Sequence, residues 1–282
     1  MSVYSLNYIN TFLAVKSKGK KMGWFFTSIK AGQEQFRTTE DGIRIAADFF
    51  KRKRGTASRL VIVSPGFAKE KNGYPITDLC RHLTRYGDVV SIDFRGVGHS
   101  GGRYTFGAEE YRDLEPYLKW GRQHYRKTIL LGLSMGSYHS LRAAHAWPRL
   151  VDKALLVSCP SQLEDVLKTL GPIRQGWAIA TDWKALQKRI KVRGNLFFRW
   201  GNPFSPKPKA EWLAPGVSVP LSFLVGGKDR LVVKSLSRKV YDEASNSKSW
   251  TEIPEGNHAE FLFVENQRKF KDWVAANING RV

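Results

Sequence analysis

The chain has 282 residues, 42% apolar and 25% charged, enough for a sizeable core and too apolar for wholesale disorder. Its 46 Lys and Arg against 25 Asp and Glu leave a formal charge of +21, which points to an anionic partner or surface and says nothing of fold. Two cysteines, Cys80 and Cys159, with no CxxC pair, rule out a disulfide framework and a Cys-rich zinc site. No apolar run reaches the ~18–20 residues that span a bilayer.

Residues 1–32 read as a basic appendage. The first fifteen are mildly apolar, but their charges follow, at Lys16, Lys18, Lys20 and Lys21. A signal peptide has its charges first, so a cytoplasmic chain is expected, with peripheral contact at a membrane surface. Gln35–Thr39 and Ile43–Phe50 predict two strands joined at the turn dipeptide Asp41-Gly42. The basic run Lys51–Arg54 follows this hairpin. Leu60–Ser64 is a buried strand. Ile76–Tyr86 carries Ile76, Leu79, Cys80 and Leu83 at helical spacing. Val89–Phe94 is a strand leading into the Gly-rich loop Arg95–Gly102. Ala108–His124 is a helix, Thr128–Leu133 a buried strand, and Met135–Trp147 a helix stopped by Pro148. Lys153–Ser158 and Leu221–Val225 are strands, Leu236–Ala244 a helix, Trp250–Ile253 the last strand and Phe263–Ile278 the closing helix.

Strand–helix alternation with continuous apolar strands predicts an α/β fold. Its central sheet is mostly parallel, with helices on both faces and the opening hairpin as an antiparallel edge. The core is expected in two parts, 33–159 and 219–282. Between them, 160–218 is too long for a connecting loop and reads as an inserted cap. It holds four of the nine tryptophans, with ten basic and four acidic residues. Over a catalytic mouth, Trp177, Trp183, Phe197 and Phe198 would bind an apolar acyl or aromatic group. The competing reading is that they form the cap's own small core.

The pattern G-x-S-x-G occurs at Gly98–Gly102 and again at Gly132–Gly136. A bare match is weak, and context separates the two. Ser134 stands directly between the strand TILLGL and the helix beginning at Met135. That is the strand–turn–helix a nucleophile elbow needs, with glycines where backbones crowd. Ser100 has neither neighbour and belongs to loop chemistry. A serine hydroxyl needs a base, and the base an orienting acid. In this topology they follow in the order Ser, Asp/Glu, His. Asp229 comes just after Leu221–Val225, and His258 just after the last strand. Both lie at carboxyl ends of strands, where open α/β sheets keep their sites. Asp93 competes as the acid but precedes Ser134, and is expected to anchor its own loop.

These motifs resemble the α/β-hydrolase superfamily over roughly residues 33–280. The matching residues are Ser64-Pro65-Gly66-Phe67, Asp93-Phe94-Arg95-Gly96-Val97-Gly98-His99-Ser100, Gly132–Gly136, Gly227-Lys228-Asp229 and Gly256-Asn257-His258. The D-x-R-G-x-G-x-S loop is similar to that of the lysophospholipase and serine-aminopeptidase-like branch. The resemblance implies an oxyanion hole made by the backbone N–H groups of Met135 and Phe67. Many members have His-Gly where this chain has Pro65-Gly66. The donor is a backbone group, so the hole survives the change. A serine nucleophile argues against the dehalogenase and epoxide hydrolase chemistry of relatives.

The resulting expectation is a serine hydrolase that cleaves a carboxylic ester, of a lipid or lysolipid, through an acyl-enzyme on Ser134. His258 shuttles the proton and Asp229 orients the imidazole. No metal or organic cofactor is implied. Thioesterase, acyltransferase and aminopeptidase chemistry remain open with the same triad, as does a non-catalytic binding protein. The expected partners are a small-molecule or lipid ester and an anionic membrane surface. Nucleic acid is disfavoured, because no groove-reading motif or stacking module is present.

Overall fold

A computed structural model of the chain describes residues 32–53, 55–168 and 199–279. Runs of valine, isoleucine and leucine set its sheet. The strands are β1 (Gln33–Thr38), β2 (Arg44–Phe50), β3 (Arg59–Ser64), β4 (Asp88–Ile92), β5 (Lys127–Leu133), β6 (Lys153–Val157), β7 (Leu221–Gly226) and β8 (Lys248–Ile253). They form one sheet in the order β1-β2-β4-β3-β5-β6-β7-β8. β1 and β2 pair antiparallel, as do β2 and β4, and every other pair is parallel. The predicted parallel sheet with an antiparallel opening hairpin is therefore present.

Alternate side chains of each strand feed two separate cores. On one face Leu60, Ile62, Leu130, Leu156 and Phe223 meet α2 (Glu115–His124), α3 (Met135–Ala146) and α5 (Lys234–Glu243). On the other, Val61, Val63, Leu131, Leu133 and Val157 meet α1 (Ile76–Leu83), α6 (Glu260–Glu265) and α7 (Gln267–Asn279). Burying Phe270, Trp273, Val274 and Ile278 holds α7 down, each side chain contributing roughly 1.5–3 kcal/mol.

Two predicted helices are interrupted. The expected 108–124 helix is a 3-10 turn, Glu110–Leu114, followed by α2. Pro116 in the first turn of α2 has no N–H to continue a helix from before it. The buried Glu110 carboxylate instead accepts from Thr105 and Gly107 N–H groups and fixes the preceding loop. The expected closing helix is divided into α6 and α7 at Asn266, whose φ of −118° and ψ of 42° are not helical.

Of segment 160–218, the described residues include a helical stretch at 163–168, a strap at 199–209 and α4 (Ala210–Leu213). The strap is stitched to the core. Arg199 N–H donates to Gly96 O, Tyr104 N–H to Arg199 O and Gly201 N–H to Tyr104 O, each at 2.7 Å. Tyr138 on α3 donates to Pro208 O at 2.6 Å. Among the described residues, no helix is long and apolar enough to cross a membrane.

Candidate active site

Ser134 stands between β5 and α3 with φ 54° and ψ −124°. An L residue reaches this region only under strain, of order 1–3 kcal/mol. Close packing on both sides enforces it. A Cβ on Gly136 would lie 1.9 Å from Ser64 O, and one on Gly132 would lie 2.4 Å from Ser137 Cα. No larger residue fits either position, so the two motif glycines let α3 start against β3 and β5. The helix takes no side-chain cap from Ser134, which leaves the hydroxyl available for other chemistry.

Asp229 and His258 meet across 29 residues of sequence. His258 Nδ1 and Asp229 Oδ2 are 2.8 Å apart, both buried. The other carboxylate oxygen accepts from the N–H groups of Leu231 and Val232, each at 2.9 Å. A carboxylate held this way donates nothing, so the proton between them belongs to Nδ1. Nε2 is then the basic nitrogen. The loops carrying serine and histidine are anchored to adjacent residues at the end of β6. Ser134 N–H donates to Val157 O at 2.9 Å, and Ala259 N–H to Ser158 Oγ at 3.1 Å. Ala259 and Ser158 both have positive φ, at 40° and 49°, so the turn after His258 is as constrained as the elbow.

The expected oxyanion residues lie beside the elbow. Met135 opens α3, and the Pro65-Gly66-Phe67 loop leaves β3. A Cβ on Gly66 would stand 3.5 Å from Ser134 Cβ. Phe67 packs edge-on against Tyr104 at 5.4 Å and lies 6.0 Å from Phe106. Phe106 in turn meets Trp200 of the strap at 5.4 Å. The sequence alone does not mark Tyr104 or Phe106 as neighbours of the site, because nothing local in it pairs a core loop with the strap that holds Trp200. The four aromatics that the sequence did mark, Trp177, Trp183, Phe197 and Phe198, lie outside the described residues.

Asp93, the competing acid, has a separate duty. The Asp93 carboxylate accepts from Lys71 N–H and Nζ and from His99 N–H, as an anchor for its loop. His139 is fully buried, and burial holds its imidazole well below the usual range. A cavity of about 250 Å³, lined by Asp41, Tyr111, Glu115 and Trp147 among others, opens towards the far end of α3 and contains none of the expected site residues. Among the described residues, no group of three or more His, Cys, Asp or Glu is arranged to hold a metal ion.

The solved structures similar in fold include an esterase from Pyrococcus furiosus, at 19% identity and a TM-score of 0.68, covering 87% of this chain and 90% of that one. The esterase RhEst1 from Rhodococcus sp. ECU1013 matches at 19% identity and 0.64, over 88% and 98%. The alpha/beta hydrolase GrgF from Penicillium sp. sh18 matches at 16% and 0.69, over 88% and 99%. At these identities the likeness is one of fold. No curated protein matches the chain in sequence. A sequence profile described as the alpha/beta hydrolase family matches residues 60–273. That span runs from β3 through the elbow and the loops of Asp229 and His258 into α7, so the sheet, the elbow and the profile agree: the chain belongs to the alpha/beta hydrolase family.

Proposed function

We propose that the chain is a serine hydrolase that cleaves a carboxylic ester through an acyl-enzyme on Ser134. The observation that carries this reading is the buried 2.8 Å contact of His258 Nδ1 with Asp229 Oδ2, tied through the end of β6 to an elbow serine at φ 54°. His258 Nε2 takes the Ser134 proton as Oγ attacks the ester carbonyl. The carbonyl oxygen becomes an oxyanion, which the N–H groups of Met135 and Phe67 stabilise. Collapse breaks the ester C–O bond, and the imidazolium returns the proton to the departing alkoxide. Water then repeats the sequence on the acyl-enzyme, releasing the acid and free serine.

Fluorophosphonate labelling tests the reading. Wild type and Ser100→Ala should label, and Ser134→Ala should not. An unlabelled wild type overturns it in favour of a non-catalytic binding protein. A chain-length series of acyl esters, thioesters and aminoacyl amides then ranks hydrolysis of esters against the thioesterase and aminopeptidase alternatives. Added alcohols test for acyl transfer.

The substrate we favour is a lipid or lysolipid ester met at an anionic membrane surface. Phe204 is 89% exposed and Trp212 68%, both on the strap and α4 leading back from the inserted segment. Lys209 Nζ lies 5.6 Å from the centre of the Trp212 ring. Exposed aromatics with lysines are the composition of interfacial anchors. Binding should be strong to anionic vesicles, weak to neutral ones, reduced by salt and weakened in Phe204→Ala/Trp212→Ala. Equal binding to both vesicle types, or none at low salt, removes the membrane and leaves a hydrolase of dissolved esters.

A further inference from the structure

Glu260 opens α6, two positions after His258, and is 2% exposed. Its Oε1 takes a hydrogen-bonded ion pair from Lys69 Nζ. Its Oε2 is buried and has no hydrogen-bond partner among the described residues. Lys69 in turn closes the candidate oxyanion loop. Its N–H donates to Gly66 O at 3.2 Å, around Ala68 at φ 51°. A Cβ on Gly66 would lie 3.5 Å from Ser134 Cβ and 4.0 Å from Glu260 Oε2. The unpartnered carboxylate oxygen and the nucleophile therefore flank one point of this loop.

A carboxylate there opposes the chemistry unless it is neutralised. Attack creates negative charge on the substrate oxygen beside the same loop. Like charges a few ångströms apart in a buried site repel far more than in water. Among the described residues, Lys69 supplies the ion pair that Glu260 makes. We infer, on the reading that Ser134, His258 and Asp229 form the site, that Lys69 is a positioning residue with an electrostatic task. It neutralises Glu260 and bolts the oxyanion loop to the turn that carries His258. The donors of the hole then face the developing oxyanion without a bare carboxylate behind them.

The two partners are therefore not equivalent. Lys69→Met leaves a buried, unpaired carboxylate beside the hole. Glu260→Gln leaves a lysine whose side chain is 23% exposed and can be solvated. Lys69→Met/Glu260→Gln leaves no charge at all. The experiment measures kcat and KM on a short-chain p-nitrophenyl ester, with fluorophosphonate labelling rates, for these three variants, Lys69→Arg, wild type and Ser134→Ala. Lys69→Met should lower kcat roughly 10- to 100-fold with KM changed less than about threefold. Adding Glu260→Gln to it should bring kcat back to within about threefold of the Glu260→Gln rate, and Lys69→Arg should keep most of the rate. A double variant slower than Lys69→Met, or a Lys69→Met no slower than Glu260→Gln, overturns the inference, because a purely structural pair makes the double at least as bad. Should Lys69→Met alone not fold, the Glu260→Gln background decides. There, Lys69→Met must leave kcat within about threefold, and a larger loss overturns the inference. An unlabelled wild type overturns the triad reading itself. Labelling that needs Ser134 but ignores Lys69→Met overturns only the role of Lys69.

Discussion

Ser100 and Ser134 occupy the same five-residue pattern and end in opposite surroundings. Ser134 is 9% exposed, at a strained turn between strand and helix, with no cap bond from its hydroxyl. Ser100 is 1% exposed, and its hydroxyl is fully engaged. Ser100 Oγ donates to Asp93 O at 2.6 Å and accepts from Ala46 N–H at 2.8 Å. It thereby acts as one more rung between β2 and the chain leaving β4. The glycines differ in the same way. Gly132 and Gly136 allow backbones to crowd, whereas Gly98 has φ 52° and lies against the Asp93 carboxylate. The pattern alone does not set the surroundings of its serine; the elements on either side of it do.

The largest expected effect separates the two serines by turnover. Ser134→Ala and His258→Ala should each lower kcat roughly 10⁵–10⁶-fold, because in the proposed mechanism nucleophile and base act as one unit. Ser100→Ala should keep the rate per folded molecule. Equal losses at both serines would break the comparison. Next comes the acid. Asp229→Asn should lose roughly 10⁴-fold, because an amide favours the wrong imidazole tautomer. Asp93→Asn should lose stability and keep the rate of the folded fraction. The reverse pattern would move the acid from Asp229 to Asp93.

Much of this was legible from local sequence. β3, β5, β6 and β7 are continuous apolar runs buried on both faces, and such runs announce themselves. Asp229 and His258 were legible from their places after strands, although the bond between them is not a local feature. The breaks at Pro116 and Asn266 were missed because apolar periodicity runs across both of them. Lys69 and Glu260 carry no sequence signal, since 191 residues separate them and only the fold makes them partners. The same holds for Phe106 and Trp200, which meet through pairing of the strap with a core loop.

A smaller effect concerns the duty of Ser100. Ser100→Ala removes the acceptor for Ala46 N–H and a donor to Asp93 O, in a fully packed setting. Stranding buried backbone groups costs about 1–3 kcal/mol. Chemical denaturation should show that loss in Ser100→Ala. Ser134→Ala should be neutral to slightly stabilising, since no hydrogen bond from the Ser134 hydroxyl caps α3 and alanine suits the crowded turn as well. A Ser134→Ala loss as large as that of Ser100→Ala would mean that the elbow serine is also structural.

The smallest effect tests how the two loops are held. The elbow is fixed by uncharged backbone packing, whereas the Ser100 loop hangs on charge. Lys71 Nζ lies 3.0 Å from Asp93 Oδ2, 3.0 Å from Glu34 Oε1 and 3.8 Å from Asp48 Oδ1. His99 Nδ1 faces Glu34 Oε1 at 2.6 Å and adds a positive charge only when protonated. One lysine thus serves three carboxylates. Burial, reinforced by the charges of Asp93 and Glu34 against the pull of Lys71, pushes Asp48 up to about 6 from 3.8. The folded chain then holds the Asp48 proton more tightly than the unfolded chain. The benefit is complete below the unfolded value and is lost as pH rises through about 6. At pH 8 the ionised Asp48 costs about 1–2 kcal/mol after allowance for screening. Asp48→Asn removes that cost, so it should raise Tm by a few degrees more at pH 8 than at pH 4.5. Fluorophosphonate labelling of Ser134 at pH 8 should be unchanged, because the elbow does not depend on this cluster. An equal shift at both pH values would mean that Asp48 carries the same charge at both and that its carboxyl does not titrate between them. A changed labelling rate would mean that the two loops are not separately held.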